Sequence, residues 1–74
     1  MTQREQILQY IKDFGSITPM DAFWDLGITK LATRISEMRR DGIEFTIVME
    51  KGRNKYNKPV RYARYSLCEV KDNG

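Results

Sequence analysis

The sequence predicts an α+β fold in which three short helices precede a two-stranded β-hairpin. Through residue 42, apolar residues recur every three or four positions in three stretches, and each stretch is followed by a glycine, as expected for amphipathic helices with C-caps. Beyond Gly42, apolar and polar residues alternate, which indicates a half-buried strand. A turn-rich segment then separates this strand from a second one, so a hairpin follows the helices.

The first helix is predicted over about residues 3–14. Thr2 and Glu5 have the T-x-x-E spacing of a capping box, in which each side chain binds a free amide of the first turn. Gly15 follows at the position where a left-handed C-cap is favoured. The apolar stripe of this helix comprises Ile7, Leu8, Ile11 and Phe14.

The second helix is predicted to begin after Thr18 and to end at Gly27. Thr18 is the expected N-cap, and Pro19 suits the first helical position, where its missing amide costs nothing. The side chains expected to face the core are Ala22, Phe23 and Leu26.

The third helix is predicted to begin after Thr29, another N-cap candidate, and to end before Gly42. Only residues 27–29 separate it from the second helix, so the two helices must cross steeply. Its expected inward stripe comprises Ile28, Leu31, Ala32, Ile35 and Met38.

The hairpin is predicted to have its first strand over residues 43–50, its turn over residues 51–58 and its second strand from Pro59. Four strand residues are expected to cover the helical core: Phe45, Ile47, Tyr65 and Leu67. Residues 68–74 lack a periodic pattern. A domain over residues 1–67 and a flexible tail over residues 68–74 are therefore predicted.

The predicted order of elements is two helices, a tight turn between the second helix and a third, and then a hairpin. This is the order of a winged helix-turn-helix, in which the hairpin is the wing. The stretch ITPMDAFWDLGITKLATRISEMRRDGIEF, followed by KPVRYARYSL, resembles the small winged helix-turn-helix DNA-binding proteins of bacteriophages and prophages. The resemblance covers roughly residues 3–67. In that family an L-A-x-R-I-x-x-[LM]-R pattern marks the third helix and A-R-Y-x-L marks the return strand. The matching residues are Leu31, Ala32, Arg34, Ile35, Met38 and Arg39, then Ala63, Arg64, Tyr65 and Leu67.

This resemblance implies a bacterial cytoplasmic, nucleoid-associated protein that binds double-stranded DNA, with a role in transcription regulation or DNA organisation. It also implies a third helix in the major groove and a wing on the backbone or in the minor groove. The chain departs from the best-known helix-turn-helix pattern at Thr33 and Ser36, which stand where that pattern has apolar residues. Such a shift in register changes which side chains face outward.

The distribution of charge also points to a polyanionic partner. The chain carries 13 basic and 10 acidic residues, for a net charge of +3. Residues 51–64 hold six basic residues and no acidic one, so the rest of the chain is acidic. A concentrated basic segment favours binding to nucleic acid. The alternative is a solvated loop whose charges only keep the protein soluble.

Several classes of function are disfavoured by composition. The chain has no histidine and one cysteine, which removes the commonest general base, a disulfide framework and a thiolate zinc site. No apolar run approaches the length of a membrane span, and the N-terminus lacks the apolar core of a signal peptide. We therefore expect a non-enzymatic cytoplasmic protein with no cofactor, no metal and no small-molecule ligand.

The candidate base-reading residues lie on the third helix, whose outward face is expected to enter the major groove. Arg34 is the strongest candidate, since its planar fork matches the O6 and N7 atoms of guanine. Glu37 has two interpretations: it accepts from cytosine N4, or it pairs with Arg34 or Arg40 on the helix surface. The full candidate set is Thr29, Lys30, Thr33, Arg34 and Glu37.

A second set is predicted to contact the DNA backbone or the minor groove. Tyr56 stands near the wing tip with no evident core role. Arg61 and Arg64 are expected on opposite faces of the return strand, so that only one of them easily reaches DNA. The set comprises Arg40, Lys51, Arg53, Lys55, Tyr56, Lys58, Arg61 and Arg64.

Trp24 is a candidate partner surface. Phe23 and Trp24 cannot both be fully buried on so short a helix. Trp24 is therefore either half-buried support for the wing or for the contact with the first helix, or an exposed aromatic at a dimer or partner surface. The second interpretation goes with an alternative function, in which a winged helix binds and inhibits a host or phage protein. A homodimer on DNA is also expected, because one module contacts few base pairs.

Overall fold

Three helices and one hairpin form in the order that the sequence predicts. The computed structural model describes residues 1–68. The elements are α1 (Gln3–Phe14), α2 (Pro19–Leu26), α3 (Leu31–Arg40), β1 (Phe45–Arg53) and β2 (Pro59–Leu67). Cys68 is exposed after β2, and residues 69–74 of the predicted tail lie outside the described residues.

The first two helices begin at capping boxes. Around α1, the Glu5 amide donates to Thr2 Oγ1 over 3.2 Å and the Thr2 amide donates to Glu5 Oε1 over 3.1 Å. Around α2, the Asp21 amide donates to Thr18 Oγ1 over 3.1 Å and the Thr18 amide to Asp21 Oδ2 over 3.0 Å. Each box satisfies two amides that lack an intrahelical acceptor. The predicted N-caps Thr2 and Thr18 are confirmed.

The prediction of Thr29 as the N-cap of α3 is wrong. The helix begins at Leu31, and its N-cap is Lys30, which makes no side-chain capping bond. The reason lies at the end of α2, where Gly27 adopts a φ of 68° and the Ile28 amide donates to Ala22 O over 2.9 Å. These C-terminal capping bonds use residues 27 and 28, so the chain needs Thr29 and Lys30 to turn.

The core lies where the three helices meet the base of the hairpin. Leu8, Leu26, Phe45 and Leu67 are half-buried at its margin. The buried hydrophobic residues are Ile7, Ile11, Ile17, Ala22, Ile28, Leu31, Ile35, Met38 and Tyr65.

Four predicted core residues are instead exposed. On α3 the buried stripe is Leu31, Ile35 and Met38, and Ala32 lies about 100° around the helix from Leu31. Phe23 is 49% exposed, because the short α2 packs through Ala22 and Leu26. The remaining two exposed residues are Phe14, which lies beyond the core and stacks on Tyr10, and Ile47, which lies where the hairpin leaves the helical body.

The hairpin is joined to the helical body through β2. Strands β1 and β2 are antiparallel, with Phe45 opposite Leu67 and Ile47 opposite Tyr65. On its other side, β2 forms a bridge to Ile17: the Ile17 amide donates to Tyr65 O over 2.8 Å, and the Tyr65 amide donates to Ile17 O over 2.9 Å. Since Ile17 lies between α1 and α2, β2 is central at the base and β1 is the outer strand.

Replacing Thr18 with alanine should lower the free energy of unfolding by about 1 kcal/mol, because the buried hydroxyl caps α2. Chemical denaturation checks this. Thr18→Ser should stay near the wild type, and Thr29→Ala should change stability by less than about 0.5 kcal/mol, since α3 has no side-chain cap. Equal losses for Thr18→Ala and Thr29→Ala would contradict the assigned caps.

Tyr10 should remain protonated to unusually high pH. Its hydroxyl donates to Asp25 Oδ2 over 2.5 Å, and this hydrogen bond raises the pKa of Tyr10 to about 12. Because the folded pKa exceeds the ordinary value near 10, the stabilisation is fully present below about pH 10 and is lost as pH rises through about 12.

Phenolate absorbance during an alkaline titration checks the assignment. The absorbance change that Tyr10→Phe removes should have its midpoint near pH 12, and Asp25→Asn should lower that midpoint. An unchanged midpoint in Asp25→Asn would show that the hydrogen bond does not set the pKa of Tyr10.

Candidate nucleic-acid interface

The outer face of α3 is polar, and the side chains on it are exposed and unpaired within the described residues. Thr33, Ser36 and Arg40 are exposed on the side opposite the buried stripe. Thr29 and Lys30 are exposed in the turn that precedes the helix. Within residues 1–68, none of these five side chains has a hydrogen bond or an ion pair with another side chain. They are available to an external ligand.

Arg34 and Glu37 lie on a different flank of α3, against the beginning of α1. Arg34 Nη1 donates to Glu37 Oε1 over 2.7 Å, and Glu37 Oε1 lies 3.4 Å from Arg4 Nη2. Arg4 Nη1 also donates to Asp41 Oδ2 over 2.6 Å, and this hydrogen bond raises the pKa of Arg4. Of the two interpretations of Glu37, pairing with Arg34 is the one that the structure contains.

Arg34 is only partly accessible as a result. Its side chain is 30% exposed, and its Nε atom is buried with no hydrogen-bond partner in the described structure. To read a base, Arg34 must give up the bond to Glu37. The prediction that Arg34 reads guanine therefore has an energetic cost that Thr33, on the open face, does not have.

Ser36 and Arg39 were not among the residues predicted to contact DNA. Both are exposed on α3, and Arg39 also lines a cleft with the hairpin base. The signal that identifies Ser36 is the spacing of the buried residues. A narrow stripe of Leu31, Ile35 and Met38 is enough to bury one face of ten residues, and it leaves Ser36 on the outer side.

The wing tip is stabilised by hydrogen bonds to the backbone and side chain of Asn54. The Asn57 amide donates to Asn54 O over 2.9 Å, and Asn54 Oδ1 accepts from the amides of Tyr56 and Lys58 over 2.9 and 3.0 Å. Asn57 adopts a φ of 61°, the left-handed conformation that asparagine tolerates. Lys55 and Tyr56 stand between these anchors, and the Tyr56 side chain is 81% exposed.

Five basic residues of the wing are exposed, and the sixth is held in an ion pair. Among the five, Arg53 Nη1 donates to Asn57 O over 3.0 Å. Arg64 Nε donates to Glu50 Oε2 over 2.9 Å, which raises the pKa of Arg64, and Arg64 Nη1 donates to Ser16 Oγ over 2.9 Å. Arg61 lies on the opposite face, as predicted, directly across from Lys51. The exposed basic residues are Lys51, Arg53, Lys55, Lys58 and Arg61.

A cleft of about 540 Å³ separates the wing from the beginning of α2. The helix contributes residues 18–21 to its lining. The hairpin contributes Gly52, Arg53, Val60, Arg61, Tyr62 and Arg64.

Within residues 1–68, no hydrogen bond or ion pair joins the candidate residues of α3 to those of the wing. The two candidate surfaces are thus built independently.

Trp24 is exposed, so the interpretation as half-buried support is wrong. Its side chain is 73% exposed and touches the Phe23 ring edge-on, with ring centroids 5.4 Å apart. Met20, on the same side of α2, is 62% exposed. The short helix buries Ala22 and leaves these three large apolar side chains in solvent.

A family model described as a winged helix-turn-helix domain matches residues 2–70. The chain belongs to this family. No curated protein and no solved structure matches the chain. The winged helix-turn-helix fold is typical of DNA binding, with α3 in the position of the recognition helix and the hairpin in that of the wing. No helix within residues 1–68 is long and apolar enough to cross a membrane.

Arg64→Ala should lower the melting temperature, whereas Arg61→Ala should not, although both remove one positive charge. Arg64 forms an ion pair with Glu50 and donates a hydrogen bond to Ser16 in the link between α1 and α2. Arg61 has no such partner among the described residues. Thermal unfolding at low and high salt checks this, and the effect of Arg64→Ala should shrink as salt screens the ion pair. Equal melting temperatures for the two variants would contradict the role given to Arg64.

Proposed function

We propose that this winged helix-turn-helix domain binds double-stranded DNA without enzymatic activity, with α3 in the major groove and the wing on the backbone or in the minor groove. The observation that carries the proposal is the wing, a preorganised hairpin with five exposed basic residues. Its nearest acidic residue, Glu50, is already neutralised by Arg64. Such a surface favours an extended polyanion.

The outer face of α3 suits the floor of a groove. Thr33 and Ser36 carry hydroxyls that donate to or accept from base edges, and Arg40 is free to reach a phosphate. Glu37 is the acidic residue closest to this face, and its charge is balanced by Arg4 and Arg34. No unpaired negative charge on α3 therefore opposes the approach of DNA.

The biological role that we propose is that of a phage or prophage regulator of transcription, or a DNA-organising factor, in the bacterial cytoplasm and nucleoid. The motif at residues 31–39 and the motif at residues 63–67 support it, since both resemble the small phage and prophage proteins. The structure gives these motifs physical roles. Ile35, Met38 and Tyr65 are core residues, and Arg64 pins the wing.

A second candidate function is favoured by α2. Met20, Phe23 and Trp24 form an exposed apolar face without a charged residue. Aromatic side chains in such a setting are typical of protein–protein interfaces. In this alternative, the domain binds and inhibits a host or phage protein through α2, and the basic wing complements an acidic patch of that protein.

Fluorescence anisotropy of a labelled random duplex, titrated at several salt concentrations, tests DNA binding. If the five exposed wing cations contact phosphates, the slope of log affinity against log salt should be about −4 to −5. Lys55→Ala should weaken binding to all duplexes alike and should make the slope shallower by about 1.

Lys12→Ala is the matched control, because it removes the same charge from the exposed side of α1. It should leave the slope unchanged. Absence of binding at low salt would overturn the proposal and turn attention to α2. Equal effects of Lys12→Ala and Lys55→Ala would show that net charge acts rather than the wing.

Base reading should depend on Thr33 more than on Arg34. Once a preferred site has been selected from a random pool, Thr33→Ala should relax the preference at one base pair, with a discrimination loss on the order of 1 kcal/mol. Arg34→Ala should leave the preference unchanged, because the guanidinium is held by Glu37. Loss of one guanine preference in Arg34→Ala would instead establish that Arg34 leaves Glu37 to read DNA.

A further inference from the structure

The outer edge of β1 is open. At the hairpin base, β2 lies between β1 and Ile17, and in the described part of the chain β1 pairs with β2 alone. Every second residue of Phe45–Arg53 therefore directs its amide and carbonyl away from the sheet. These groups form a row of alternating donors and acceptors, which is the chemistry that another strand edge matches.

The middle of this edge strand is apolar on both faces. Ile47, Val48 and Met49 are 41%, 51% and 60% exposed. Val48 lies on one face of the hairpin, and Ile47 and Met49 lie on the other. Open edges are usually protected by lysine, proline, a bulge or shortness, yet β1 is nine residues long and has no charge between Phe45 and Met49.

We propose that β1 is a self-association surface, on which β1 of a second copy of this chain pairs antiparallel across a two-fold axis at Val48. The two hairpins then form one four-stranded sheet. Val48 lies opposite Val48 of the second copy, and Ile47 lies opposite Met49 on each side of the axis. The open backbone groups and the exposed apolar side chains are covered together.

Charge selects this register over its neighbours. With the axis at Val48, Glu50 faces Thr46 and Lys51 faces Phe45, so no like charges stand opposite one another. With the axis at Ile47, Glu44 would face Glu50 twice, which is unfavourable. With the axis at Met49, Glu50 would face Val48, Lys51 would face Ile47 and Arg53 would face Phe45. That register places three charged residues of β1 opposite apolar ones, whereas the axis at Val48 places only Lys51 so.

A second copy is a better occupant of β1 than of the apolar face of α2. The side chains of Met20, Phe23 and Trp24 present no backbone hydrogen-bonding groups, so nothing there selects one partner over another. The edge of β1 selects an extended strand of defined length and charge pattern, and β1 itself has that pattern.

The proposed pairing is compatible with DNA binding but does not depend on it. Pairing about Val48 uses residues 44–52, so the tip residues 54–58 extend beyond the paired region in both copies. The two copies are related by a two-fold axis, which is the symmetry of a dimer on two DNA half-sites. A single strand edge is a small interface, so we expect weak association that strengthens at high protein concentration.

Sedimentation velocity over protein concentrations from about 5 to 500 µM, without DNA, tests the proposal. The wild type should shift from monomer to dimer across this range. Val48→Lys and Val48→Glu should each remain monomeric, because identical charges meet at the axis. An equimolar mixture of the two variants should form a dimer, because opposite charges then meet there.

Val60→Lys is the matched control, since Val60 is 38% exposed on the same face of the hairpin but belongs to β2. It should dimerise like the wild type. Because Arg64 lies opposite Val48 within the hairpin, thermal unfolding of each variant checks that the fold is kept. Hydrogen exchange of the wild type gives a second measurement: protection of β1 amides should rise with protein concentration.

A wild type that stays monomeric throughout, with constant β1 protection, would overturn the proposal. So would failure of the mixed variants to associate, or loss of the dimer in Trp24→Ala, which would place the interface on α2. DNA binding is tested separately, because a monomeric Val48→Glu variant should still bind a random duplex with a steep salt dependence.

Discussion

The short antiparallel bridge between Ile17 and Tyr65 is the contact on which the rest of the structure depends. It joins the link between α1 and α2 to the base of the return strand, and both residues are buried. Without it the hairpin would lose these backbone hydrogen bonds to the helical body, and an isolated two-stranded hairpin is marginal in water. Arg64, the neighbour of Tyr65, reinforces the joint by bonding Ser16 and Glu50.

The distribution of ion pairs makes the candidate DNA-binding surface positively charged. Two described acids near the candidate interface are paired with arginines: Glu37 with Arg4 and Arg34, and Glu50 with Arg64. Exposed pairs of this kind add little stability. Their larger effect here is to leave the wing tip and the outer side of α3 without a competing negative charge.

Local sequence rules predicted the capping residues of α1 and α2, the order of the elements and the opposite placement of Arg61 and Arg64. They were less successful on α3. The N-cap is Lys30, one residue later than the predicted Thr29, because the capping of α2 uses Gly27 and Ile28. Ala32 proved exposed. The partial burial of Arg34 depends on Arg4, which is thirty residues away in the chain. The spacing of residues within α3 therefore could not predict it.

The sequence by itself determined the winged helix-turn-helix order, the caps and the basic wing, because caps, turns and periodicity arise between residues that are close along the chain. The tertiary structure alone decided which flank of α3 is covered and that, among residues 1–68, Arg64 is paired whereas Arg61 and the outer edge of β1 have no partner. Each of those outcomes depends on which element, distant in the sequence, packs against the residue or strand in question. The energy of that contact is set by the packed element and not by the local sequence pattern.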